Sequence, residues 1–173
     1  MNTLTCNKPA LLRTALVDIT LLAVASLIPT LSHLTALPLY QLNPMMLVLL
    51  GGMLLVRGRA NAILLAVLLP VVSMVAVGMP TPLKALCMVA EMLTVVSIFT
   101  LMERSWNLDR KPFVACFGSL LAAMLCGKAV YYALKALLLS PAVLVSTPVA
   151  TQVLAMLGAA LLFCLCGRIL SRR

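Results

Sequence analysis

Six apolar runs, cut apart by Pro, Gly and small clusters of Arg and Lys, dominate this chain and leave it little choice of solvent. The breaks place spans near 11–30, 42–57, 60–79, 83–103, 112–138 and 148–170. Pro29, Pro38 and Pro44 follow the first run, Pro80 and Pro82 divide the third from the fourth, Pro112 opens the fifth, and Pro141 and Pro148 precede the sixth. A helix crossing ~30 Å of hydrocarbon uses about 20 residues, so 173 residues are nearly consumed by six crossings. With 64% hydrophobic residues, 10% charged residues and a mean hydropathy of +1.16, the expected fold class is an all-α membrane protein. It is expected to be a single transmembrane domain over 1–173, with no soluble catalytic domain.

The basic residues set the orientation. Lys8 and Arg13 precede or open the first run, Arg57 and Arg59 lie between the second and third, and Arg104, Arg110 and Lys111 lie between the fourth and fifth. Arg168, Arg172 and Arg173 close the sequence. These are alternate connections, so all fall on one side of the membrane. The other connections, 31–41, 80–82 and 139–147, carry no Lys or Arg, with Lys84 just beyond one of them. By the positive-inside rule both termini are cytoplasmic, in a multi-pass protein of the inner or plasma membrane. The net charge of +9 therefore reflects topology and lipid contact, and no nucleic-acid partner is expected.

Lys8 and Arg13 ahead of an apolar run ending Ala23-Val24-Ala25 imitate a cleaved signal peptide. Asp18 interrupts that run, however, and keeping the segment gives the better charge topology. Cys6, Cys87, Cys116, Cys126, Cys164 and Cys166 contain no CxxC, and five of them lie within apolar runs, where a thiol behaves as a small hydrophobe. Neither a disulfide framework nor a zinc site is expected. Cys164 and Cys166, two apart on a helix, point to different faces. His33 reads as a solvated loop residue, and no metal or other cofactor is expected.

A charge inside a span costs about 2.5–3.5 kcal/mol on insertion scales, so each one faces protein or water and has a partner. In the fifth run Lys128, Tyr131, Tyr132 and Lys135 fall at i, i+3, i+4 and i+7, one stripe of an α-helix. In the fourth, Lys84 and Glu91 are seven apart and share a face. At 1.5 Å per residue, Glu91 lies ~12 Å and Lys128 ~15 Å below the outer boundary, level enough to pair. The plainer reading makes this pair a salt bridge between helices, the tyrosines an interfacial belt, and Lys84 and Lys135 cations that snorkel outward. The functional reading makes the stripe the wall of an outward-opening cavity, whose several ammonium groups and aromatic faces suit an anionic organic solute. Asp18, with Thr14 one turn before it, pairs with Arg57 or Arg59 or takes part in proton coupling.

The first outer loop leading into LNPMMLVLLGGML, and the segment GMPTPLKALCMVAEM, resemble the S component of an energy-coupling factor (ECF) transporter. These are small membrane subunits that bind vitamins and other micronutrients. The match is carried by Gly78, Pro80, Pro82, Leu83, Lys84, Ala85, Leu86, Met88 and Glu91. The resemblance implies a solute site on the outer side, formed by spans four to six and closed by the first outer loop. That region holds Lys84, Glu91, Lys128, Tyr131, Tyr132 and Lys135. It further implies a transmembrane T subunit and two cytoplasmic ATPases as partners, so the chain itself is not expected to be an enzyme; it has no GxxxxGK[ST] segment. Family members dock on the T subunit through Ala-x-x-x-Ala in the first span. Here Ala15 is followed by Ile19 and then Ala23, an imperfect version of that pattern; Ala155 and Ala159 offer another contact, or packing within the bundle. Two further readings stand beside this one: an autonomous carrier coupled to protons through Asp18 and Glu91, and a membrane enzyme or assembly factor acting on a lipid-linked substrate. Against the enzyme, there is no HExxH or GxSxG, and one histidine leaves few general bases.

Overall fold

The computed structural model describes residues 8–35, 43–56, 58–106, 113–138 and 148–171. Six α-helices occupy them: α1 Lys8–Thr35, α2 Pro44–Leu55, α3 Arg59–Val77, α4 Pro82–Trp106, α5 Phe113–Leu138 and α6 Val149–Ser171. Helices are what an apolar chain of this kind must form, because lipid offers no partner for a backbone N–H or C=O. The punctuation read from the sequence works locally. Pro44 and Pro82 each open a helix, where the missing N–H is no loss. Gly78 ends α3 in the left-handed region, at φ 72°, and its N–H donates to the carbonyl of Met74 at 3.0 Å.

Among the described residues, α3, α4 over Pro82–Met102, α5 and α6 over Val149–Leu170 are long and apolar enough to cross a membrane. The chain is thus an all-helical, multi-pass membrane protein. The second predicted span is corrected: α2 has 12 residues, which reach ~18 Å, well short of a bilayer core. The first is corrected in the other direction, since α1 continues through Pro29 to Thr35. An internal proline removes one backbone hydrogen bond and crowds the preceding turn, a cost that apolar membrane helices tolerate where neighbouring groups satisfy the freed carbonyl, and α3 likewise runs through Pro70. His33 therefore stands on the last turns of a helix and not in a loop; its side chain lies outside the described residues.

The helices close into a ring. Helix α1 lies beside α2 and α3, α3 beside α4, α4 beside α5, α5 beside α6, and α6 returns to α2, which also touches α3. Met46 and Leu49 of α2, Leu65 of α3, Val95 of α4, Leu120 of α5 and Ala160 of α6 meet in the core. The outside is also apolar: Leu137 is 81% exposed, and Leu12, Ile19, Val75 and Leu154 are similarly open. Large apolar side chains on that scale belong against acyl chains. Ala159 is buried in the core and packs within the bundle, whereas Ala155 is half-buried. Ala15 is half-buried and Ala23 exposed, with Ile19 exposed between them, which leaves that face of α1 on the outer surface.

Asp18 has a partner on α3 other than Arg59. It is 8% exposed, and its Oδ1 accepts a hydrogen bond from Asn61 Nδ2 at 3.0 Å. Arg59 is exposed, and Arg57 lies outside the described residues. Asn61 occupies the first turn of α3, where the positive end of the helix dipole also favours a carboxylate. Replacing Asn61 with Ala is expected to cost about 1.5–3 kcal/mol, the range for a hydrogen bond to a charged group. Thermal unfolding in detergent reads it; an unchanged midpoint would remove the bond from the account.

Candidate functional site

The site begins with a glycine. A Cβ built on Gly127 of α5 would lie 2.6 Å from Val95 Cγ2 and 3.0 Å from the carbonyl oxygen of Glu91. Only a residue without a side chain lets α4 and α5 approach this closely. The next residue, Lys128, is thereby brought to Glu91: Nζ and Oε1 are 2.8 Å apart. Glu91 is 4% exposed, and the Lys128 side chain is 19% exposed. Oε1 lacks the angular alignment of a hydrogen bond, so the contact is a charge pair at bonding distance. The pairing expected from depth alone is the one observed.

Tyr131 sits between two cations. Lys128 Nζ is 5.1 Å and Lys135 Nζ 5.9 Å from its ring centroid, distances at which the ring's negative face attracts an ammonium. Tyr131 is buried, and Lys135 is only 5% exposed. This corrects the expectation that Lys135 snorkels outward: it lies in the last turn of α5, but its face is turned into the bundle. Tyr132 meets Tyr131 edge-on, with centroids 5.4 Å apart, and its hydroxyl donates to Gln152 Oε1 of α6 at 2.6 Å. The single stripe read from the sequence is therefore divided. Lys128, Tyr131 and Lys135 gather at the α4–α5 seam, while Tyr132 ties α5 to α6.

Lys84 does not join the buried group. It stands exposed on the first turn of α4, at the end of the bundle where Lys135 lies in the last turn of α5. Among the described residues, the end of the bundle where α4 begins, α5 ends and α6 begins holds Lys84, Lys128 and Lys135 and the carboxylate of Glu91. An anion is the ligand such an excess attracts. Among the described residues no three metal-ligating side chains converge.

Gln152 and Gly127 belong to the site although the helical stripe does not include them. Gln152 was visible as the lone amide in the apolar VATQVLAM, and Gly127 as a small residue beside a charge within a span. Comparison with protein-family models, with curated proteins and with solved structures finds no match for this chain.

Proposed function

We propose that this chain is the solute-binding membrane subunit of an ECF-type uptake transporter, taking a small organic anion of the vitamin or micronutrient kind. The observation that carries the reading is a gathering of charge: Lys128 and Lys135 flank the aromatic face of Tyr131, with Lys84 exposed at the same end of the bundle, and Glu91 is the carboxylate among the described residues there. The solute's acidic group meets Lys128 with help from Lys84 or Lys135, and its ring or apolar portion lies on Tyr131 or Tyr132. Glu91 orients Lys128. The resemblance of Gly78 to Glu91 to the ECF segment supports the same reading, because Lys84 and Glu91 lie within it. The open face of α1 that carries Ala15 and Ala23 is the surface offered to the T subunit, and two ATPases supply the energy. The membrane is the inner or plasma membrane, with both termini in the cytoplasm.

Reconstitution tests this. The chain alone is expected to bind its solute but to accumulate none in liposomes, and accumulation is expected only with the T subunit, both ATPases and ATP. Uptake by the chain alone under a proton gradient would establish the autonomous carrier instead, and a covalently altered ligand would establish an enzyme. A second reading, that Glu91 and Lys128 only fasten α4 to α5, is favoured by their 2.8 Å separation and the burial of Glu91. It predicts no bound solute at all.

A further inference from the structure

Away from the lysine cluster, α5 and α6 meet a second time. The Cys164 thiol of α6 donates to the Cys116 sulfur of α5 at 3.5 Å. The two residues are 48 positions apart in the chain, and nothing in their spacing announces the pair. Both are thiols in this structure. A disulfide needs the sulfurs about 1.5 Å closer, at ~2.05 Å.

The surroundings give the two sulfurs unequal roles. Cys164 is buried, whereas Cys116 is half-buried and stands on the first turn of α5. The Arg168 guanidinium, one turn beyond Cys164, lies 5.6 Å from the Phe113 ring centroid at the start of α5. A guanidinium at that level marks the place where the apolar bundle meets water or headgroups, so a small polar oxidant can arrive there.

We propose that Cys116 and Cys164 form an intramolecular oxidation site for hydroperoxides, closing to a disulfide that joins α5 to α6. The Cys116 sulfur, as thiolate, attacks one peroxide oxygen. The O–O bond breaks, and the departing hydroxide takes up the proton that Cys116 lost to the solvent on ionising, becoming water. The resulting sulfenic acid is attacked at sulfur by Cys164; the S–O bond breaks, and the departing hydroxide takes the Cys164 proton as a second water. Two thiols and one hydrogen peroxide thus become one disulfide and two waters, with sulfur oxidised and oxygen reduced. The adjacent Cys164 stops Cys116 from climbing to higher oxides. Closure adds a covalent tie to a helix pair that Tyr132 and Gln152 already join near its other end.

The test uses the full chain in lipid nanodiscs, treated with hydrogen peroxide, then denatured and labelled with a maleimide mass tag. Of the six cysteines, two should cease to label, and digestion should give one cross-linked peptide pair containing Cys116 and Cys164. Cys116→Ser should abolish the loss, and Cys126→Ser should leave it intact. In Cys164→Ser the reaction should halt at the sulfenic acid, trapped on Cys116 by dimedone. Full labelling after peroxide, a cross-link to another cysteine, or a Cys164→Ser chain with no dimedone adduct at Cys116 would overturn the proposal.

Discussion

Replacing Lys128 with Met is expected to cost the folded chain about 3–5 kcal/mol, the range for removing one partner of a buried ion pair. The reason is Glu91. At 4% exposure it has almost no water to turn to, and its Oε1 faces Lys128 Nζ at 2.8 Å. Met fills similar space but leaves the carboxylate uncompensated. The opposite single change, Glu91→Gln, should cost less, because the Lys128 side chain is 19% exposed and still lies over the Tyr131 ring. The double variant, Glu91→Gln with Lys128→Met, removes the isolated charge and should recover most of the loss. Thermal unfolding in detergent, followed by circular dichroism, gives all three values. If Lys128→Met melts with the parent chain, the pair does not hold α4 to α5.

Gly127→Leu is expected to be at least as damaging, through the backbone instead of charge. Even alanine at this position places a Cβ 2.6 Å from Val95 Cγ2 and 3.0 Å from the Glu91 carbonyl oxygen. A side chain can turn aside, but a helix carbonyl cannot. Gly127→Ala should cost about 1–3 kcal/mol, as overpacking does, and Gly127→Leu more. Adding Val95→Ala should rescue Gly127→Ala only in part, since it removes the methyl and leaves the carbonyl. Gly52 provides the contrast. A Cβ there meets Leu65 Cδ1 at 2.5 Å and Leu21 Cδ1 at 3.2 Å, the ends of flexible side chains, and Gly52→Ala should be milder. A Gly127→Ala chain as stable as the parent would show that the α4–α5 seam is looser than this. Because Gly127 also brings Lys128 to Glu91, the proposed solute-binding reading predicts that its replacement weakens binding along with stability.

The parts of this arrangement that were legible in advance are those that depend on distance along one helix. Counting inward from residue 83 and from residue 138 puts Glu91 and Lys128 at similar depth, and they pair. Proline, glycine and charge located the helices to within a few residues. What depth does not reveal is how a helix is rotated about its axis. Lys135 is near a helix end, where a lysine ordinarily reaches outward, yet its face turns inward and it is buried. Tyr131 and Tyr132 are adjacent in sequence, so one hundred degrees of helical rotation sends one to the α4–α5 seam and the other to α6. The contacts of Asn61 with Asp18, Gln152 with Tyr132 and Cys116 with Cys164 each join separate helices, and no periodicity within a single helix encodes a partner on another. The extent of α1 is illegible for a different reason: Pro29 reads as a stop, but a membrane helix can run through a proline, and α1 continues to Thr35.

The most direct test of the central claim, that the lysine-rich end of the bundle holds an anionic organic solute, is native mass spectrometry of the chain extracted gently from its own membrane. The account predicts one small molecule retained per wild-type chain and identified as an organic anion on release. The same molecule should be missing from the Glu91→Gln, Lys128→Met double variant, which keeps the fold. A wild-type chain that emerges at its bare mass, with neither a T subunit nor an ATPase copurifying, would contradict it, and so would a double variant that retains the molecule as fully as the parent.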